Sequence, residues 1–145
     1  GALASLAGFG DAAATKELIE TVVNGVGLDS SVAAASIRRM RADRAVGITE
    51  TLMTSYKLSS DAATRLLESW AWIDADPEKI YDWGLNNDNP DIRMQAIWLV
   101  GEREDRAYLQ AIAPLLSDED TGVQCMSSWS IVRILGEEYE PGVEI

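Results

Sequence analysis

Tryptophan, arginine and carboxylate are the side chains through which this sequence could act on another molecule, because the usual catalytic set is incomplete. The chain has no histidine, so it lacks an ordinary general base near neutral pH, an imidazole metal ligand and any Ser-His or Cys-His pair. Its one cysteine, Cys125, stands between Val123 and Met126 in a helical stretch. A packed thiol is expected there, with a nucleophile as the alternative. Three acidic turns, Asp74-Ala75-Asp76, Asp88-Asn89-Pro90-Asp91 and Asp118-Glu119-Asp120, bring carboxylates as close together as calcium loops do, but none has the EF-hand spacing. Helix capping and compensation of the positive helix N-terminus explain them without a metal. Together they would also give a negative edge on which a basic partner could dock. The glycine pairs Gly8-Phe9-Gly10 and Gly25-Val26-Gly27 read as helix stops, since neither the preceding strand nor the Gly-Lys-Ser/Thr ending of a phosphate loop is present. No catalytic residue, cofactor or metal is expected, and the chain reads as a protein that is not an enzyme.

Binding has more to stand on. Taken at about 100° per residue along each inner helix, Trp70, Trp98 and Trp129 fall at one angle, roughly 120° from the core stripe. Arg38 occupies that slot in the first unit. Leu67, Gln95 and Met126 flank the column on one side, and Asp74, Glu102 and Arg133 on the other. Tryptophan and arginine are the residues that most often anchor a partner. The competing reading packs each indole into the seam between neighbouring repeats. Arg38, Arg39, Arg41 and Arg44 form the one basic cluster. At the end of an inner helix they would offset its negative pole, worth ~0.3–1 kcal/mol each; alternatively they hold a carboxylate or phosphate in two-pronged fashion. The candidate partner-binding set is Arg38, Arg41, Trp70, Trp98, Glu102, Trp129 and Arg133.

These residues are carried by helical hairpins. Ala12 to Val26 has Leu18, Ile19, Val22 and Val23 on one stripe, followed by Asp29-Ser30-Ser31 as caps for an inner helix Val32 to Arg41. A second pair starts near Asp43 and turns at Lys57 to Asp61, with Asp61 as the expected cap, into a helix Ala62 to Ile73. Pro77 opens the third outer helix at a position where its missing N–H costs little. Pro90 opens the third inner helix, and the fourth pair runs Arg106 to Leu116 and Thr121 to Leu135, stopped by Gly136. Inner helices thus begin near Val32, Thr64, Ile92 and Val123, at intervals of 32, 28 and 31 residues. No stretch alternates as a strand would. A lone hairpin cannot bury its apolar face, so neighbours must stack, which predicts an all-α fold, an α-α superhelix (solenoid) of about four hairpins. Ala2 to Asp11 reads as an N-terminal half repeat, so residues 1–136 are expected to be one repeat domain cut from a longer array. Residues 137–145 form an acidic tail.

The repeated pattern resembles the HEAT-like family, of the short phycobilisome-lyase-type and armadillo-like kind. It rests on Asp88-x-x-Asp91-Ile92-Arg93-x-x-Ala96-x-x-Leu99-Val100-Gly101, on Tyr108-Leu109-x-x-Ile112-x-Pro114-Leu115-Leu116-x-Asp118, and on Asp120-x-x-Val123 leading to Leu135-Gly136. Residues 77–136 carry it clearly and 12–73 more weakly: Ala33 stands where the family has arginine, and Glu68 where it has a small packing residue. The last unit has Gln124 for that arginine and Ser127 for alanine. The resemblance implies a superhelix that binds other proteins and implies no chemistry.

Composition sets the remaining bounds. The 145 residues are 47% hydrophobic with four prolines, which suits a folded domain. Formal charge is -12; residues 1–73 carry 8 acids against 7 bases and residues 74–145 carry 16 against 5. That balance disfavours nucleic acid and anionic membranes. One cysteine excludes an internal disulfide, and no stretch of these residues reads as a membrane span or as a basic-then-apolar leader, so a cytoplasmic protein is expected. The function expected is a protein-protein interaction scaffold whose inner, concave surface binds a protein or peptide segment. The alternatives are an accessory subunit of a bilin-lyase-like enzyme, with arginines on the pigment's propionates and tryptophans on its rings, and a nucleic-acid-binding HEAT-like domain.

Overall fold

A computed structural model of the chain describes residues 11–136. All regular structure among the described residues is helical, with no strand, and none of these helices is long and apolar enough to cross a membrane. The expected half repeat at the N-terminus and the acidic tail lie outside the described residues. The chain divides between Ile80 and Tyr81 into two compact units.

The first unit contains α1 (Ala12–Asn24), α2 (Leu28–Ser36) closed by a 3-10 turn (Ile37–Arg39), α3 (Ala42–Ser55) and α4 (Ser60–Ser69). Asp11 caps α1, its Oδ1 accepting from the Ala14 N–H at 2.7 Å. Ala14, Leu18 and Val22, four residues apart, form the buried stripe. Gly25 permits a tight turn, since a Cβ there would run into the Thr21 carbonyl. Helix α2 then begins at Leu28, earlier than Val32. The cause is Ser30, which is not a cap: it lies inside the helix, buried, and its hydroxyl donates to the Val22 carbonyl at 2.5 Å, tying the two arms of the hairpin. On its other side α2 meets α4 through small residues, with Ala34 buried and Ser69 Oγ 3.1 Å from the Ala34 carbonyl. The cap of α4 is Ser59, not Asp61; its Oγ accepts from the Ala62 N–H at 3.2 Å. The helix stops at Ser69, and Trp70 to Trp72 form a turn instead of the expected extension to Ile73.

Helix α5 (Glu78–Leu85) links the units, and the second unit adds α6 (Pro90–Glu102), α7 (Leu109–Ile112) between 3-10 turns at Arg106–Tyr108 and Ala113–Ser117, and α8 (Thr121–Leu135). Asn89 caps α6 and Pro90 opens it, where no N–H is needed. The expected continuous helix Arg106 to Leu116 is broken. Pro114 has no N–H with which to close an α-helical turn, and the backbone tightens through it to Ser117. Helices α6 and α8 lie against one another. Their closest approach is at Gly101, where an added Cβ would fall 2.6 Å from Ser130 Oγ and 3.0 Å from Ser130 Cα. Ser130 Oγ donates to the Ile97 carbonyl at 2.8 Å. Tyr81 is fully buried; its hydroxyl donates to Asp105 Oδ2 at 2.5 Å and its ring meets that of Tyr108 edge-on at 4.5 Å. Burial first, and the bond to the Asp105 carboxylate second, hold the Tyr81 hydroxyl protonated far above its ordinary range.

A buried polar knot fastens the turn before α6 to the turn before α8. Arg93 Nη1 donates to the carbonyls of Asn87 (2.9 Å) and Asp88 (3.0 Å), and its Nη2 reaches Asp118 Oδ1 at 3.0 Å. The same carboxylate oxygen accepts from the Asp120 N–H at 2.9 Å, and Gln124 Nε2 donates to the Asp118 carbonyl at 2.5 Å. The Asp120 N–H first, then Arg93, hold the Asp118 carboxyl below its usual range. The ion pair of Arg93 is thus with Asp118 in the following turn, not with Asp91 two residues before it.

Candidate partner-binding surfaces

The acidic turns serve as helix caps. Asp76 Oδ1 accepts from the Glu78 N–H (3.1 Å), Asp118 Oδ1 from that of Asp120 (2.9 Å) and Asp120 Oδ1 from that of Val123 (3.0 Å). In the middle turn the cap is Asn89, whose Oδ1 accepts from the Asp91 N–H at 2.9 Å. Among the described residues no three His, Cys, Asp or Glu side chains are grouped as metal ligands. Cys125 is exposed on α8 rather than packed.

Trp70 does not share the helix register of Trp98 and Trp129. Trp98 stands nine residues beyond its helix cap Asn89, and Trp129 nine beyond Asp120, but Trp70 stands eleven beyond Ser59. The structural counterpart of Ser130, ten beyond its cap, is Ser69, also ten beyond. Both hydroxyls bind a carbonyl of the preceding inner helix, Ala34 and Ile97 respectively. Two residues of displacement rotate a side chain by about 200° on a helix, and Trp70 accordingly points inward. It is 3% exposed, with Nε1 donating to Thr49 Oγ1 at 3.1 Å. As a core residue of the first unit it has no surface to offer a partner. Its register equivalent in α8 is Ile131, which is fully buried.

In the second unit the structure brings three of the expected residues together. Arg133, four residues after Trp129, lays its guanidinium over the indole, Cζ to ring centre 5.4 Å. Arg133 Nη2 lies 3.5 Å from Glu102 Oε1 across the α6–α8 seam. Trp129 is 40% exposed. Trp98, half-buried, shares the face of α6 that carries Glu102 one turn on. The result is a half-wet aromatic patch whose one cation is already balanced by a carboxylate, with Val132 exposed beside Trp129 on α8.

In the first unit the arginines separate into two pairs. Arg38 and Arg39 lie in the 3-10 turn that closes α2, as expected for side chains offsetting a negative helix end. Arg41 and Arg44 stand instead at the opening of α3, the positive end, where a helix dipole disfavours them. Arg41 Nε is 3.4 Å from Asp43 Oδ1. Arg38 stacks on Trp72, Cζ to ring centre 5.1 Å, and Trp72 is 59% exposed. Trp72 escaped the sequence reading, yet its position two residues after Trp70 carries the signal: if one of the pair is core, the other faces water. Between α1 and α3 there is also a groove of about 160 Å³, lined by Thr15, Ile19, Asp43, Arg44, Gly47, Ile48 and Thr51.

No family model, curated protein or solved structure matches the chain.

Proposed function

We propose that the chain is a HEAT-like superhelical scaffold, not an enzyme, that binds a partner protein through the α6–α8 face bearing Trp98, Glu102, Trp129 and Arg133. The observation that carries the binding reading is the exposed Trp129 indole with the Arg133 guanidinium stacked on it and Glu102 steering that guanidinium. A large apolar ring left 40% in water is held in one orientation by its neighbours, so little side-chain freedom is lost when a partner covers it. Charge neutrality within the Arg133–Glu102 pair favours an apolar or mixed segment over a strongly charged one. The repeat reading is supported by the matched caps and inter-helix serines of α4 and α8 and by the Arg93–Asp118 link between successive turns. A sequence without histidine supports the absence of catalysis.

Selection of a displayed random-peptide library on the purified chain tests this. Enriched peptides are expected to lose binding to Trp129→Ala and Arg133→Ala and to keep it with Trp72→Ser in the other unit. Enrichment of peptides indifferent to both α8 variants, or of none at all, would remove this surface from consideration.

A further inference from the structure

The geometry at the junction between α2 and α3 points to a second docking site, distinct from the α6–α8 face: we infer that Arg38, Arg39, Arg41, Arg44 and Trp72 bind an acidic peptide segment that carries an aromatic side chain.

Four guanidinium groups fall within residues 38–44 against one carboxylate, Asp43, a local balance of +3 in a chain of net -12. Asp43 engages Arg41, and among the described residues Arg38, Arg39 and Arg44 make no ion pair. Glu68, near the end of the adjoining α4, is paired with Arg65 at 2.8 Å, so that pair adds no net charge to the cluster. Compensation of a helix end accounts for Arg38 and Arg39 only. Arg41 and Arg44 add positive charge to the positive pole of α3, an arrangement that weakens the folded state and that an incoming anion would relieve.

Trp72 supplies the second requirement. It is the most exposed aromatic ring among the described residues, at 59%, on a turn rather than in a core. Arg38 covers it at 5.1 Å, which presents the edge of a guanidinium to a carboxylate and leaves indole surface for a ring. Paired demands of this kind, fixed cations beside one open indole, match alternating acidic and aromatic residues on an extended peptide. A nucleic acid carries a charge about every 1.7 Å along its axis and would approach a chain whose formal charge is -12.

The test uses the full chain and a dye-labelled Glu-Glu-Tyr-Glu-Glu peptide, read by fluorescence anisotropy at low and physiological salt. Binding is expected. It should weaken about ten-fold in the Arg38→Gln/Arg39→Gln variant, as for the loss of one or two charge-assisted hydrogen bonds. Weakening should be several-fold in Trp72→Ser and when serine replaces the peptide's tyrosine. All these side chains are exposed, so the variants should stay folded, the double arginine variant melting somewhat lower for its lost helix-end compensation, and affinities are compared well below the melting range. Trp129→Ala should bind the probe as the parent does, which keeps this inference separable from the α6–α8 reading. No binding at low salt, equal binding by the parent and the double arginine variant, or a labelled oligothymidylate that binds as tightly with the same arginine dependence would each overturn it.

Discussion

Gly101→Ala tests the packing that holds Trp98, Glu102, Trp129 and Arg133 on one face. Considered as a helix position alone, the change should help, since alanine is better than glycine by about 1 kcal/mol in a helix interior. The structure sets a larger opposing effect. The new methyl would lie 2.6 Å from Ser130 Oγ, 2.9 Å from its Cβ and 3.0 Å from its Cα, whereas carbon atoms rest at roughly 3.5–4 Å. The hydroxyl can rotate away, but only by giving up its 2.8 Å bond to the Ile97 carbonyl, worth about 1 kcal/mol. The Cα cannot move without its helix, and overpacking of this kind costs about 1–3 kcal/mol. Net destabilisation of about 1–3 kcal/mol follows, read as a fall in the urea midpoint at unchanged slope. Gly47→Ala on α3 is the internal control. A Cβ there meets nothing within 4 Å, so the same substitution should stabilise by about 1 kcal/mol. Adding Ser130→Ala to Gly101→Ala should recover only part of the loss, because the backbone and first side-chain carbon of residue 130 still crowd the new methyl. If Gly101→Ala stabilised the chain as Gly47→Ala does, the close approach of α6 and α8 would be refuted.

Other expectations come from single sites. Ser127 Oγ is buried on α8 with no hydrogen-bond partner among the described residues, so Ser127→Ala should gain about 1 kcal/mol in urea titration; a loss would mean that the hydroxyl is satisfied. Trp70→Ala should cost about 3–5 kcal/mol because it empties a core position, while Trp129→Ala, at an indole already 40% in water, should cost clearly less. Equal losses would place both indoles in the same environment. The Asp118 carboxyl titrates below its ordinary range, chiefly through the Asp120 N–H and then Arg93. A depressed folded-state value means that its stabilisation is complete above the unfolded value of about 4 and is lost as pH falls through the folded one. Unfolding midpoints measured from pH 6 downward should therefore drop below about pH 4, and Asp118→Asn should show a shallower drop. A parallel decline in both proteins would assign the acid sensitivity elsewhere.

How much could be read from the sequence depended on how local the cause was. Helices were readable wherever a local apolar stripe or cap sufficed, as in α1, where Leu18 and Val22 of the expected stripe are buried, and in α8 behind Asp120. Misplacements came where a distant partner decided. Ser30 looks like a cap until its hydroxyl is seen bonded to Val22, eight residues back on another helix. Ser59 displaced Asp61 as the cap of α4, which moved the register of that helix by two residues and turned Trp70 from the surface to the core. The same slip hid Trp72, because a helix carried on to Ile73 gives no reason for an indole to sit on a turn. In the second unit, Asn89 and Asp120 fix the registers of Trp98 and Trp129, and there Arg133 lies between the Trp129 ring and Glu102. Pairing at a distance, such as Arg93 with Asp118 twenty-five residues on, leaves only a repeat-length trace in the sequence.

The most direct test of the scaffold reading is calorimetric titration of a library-selected peptide into the parent chain, Trp129→Ala and Trp70→Phe, with urea midpoints taken on the same samples. An anchor at Trp129 predicts at least about a ten-fold weaker Kd in Trp129→Ala, equivalent to about 1.4 kcal/mol, in samples whose midpoint shows the variant still fully folded. Trp70→Phe should instead lower the midpoint and leave the affinity of the folded chain intact. Unchanged affinity in Trp129→Ala, or a loss that merely follows its unfolding, would contradict the account.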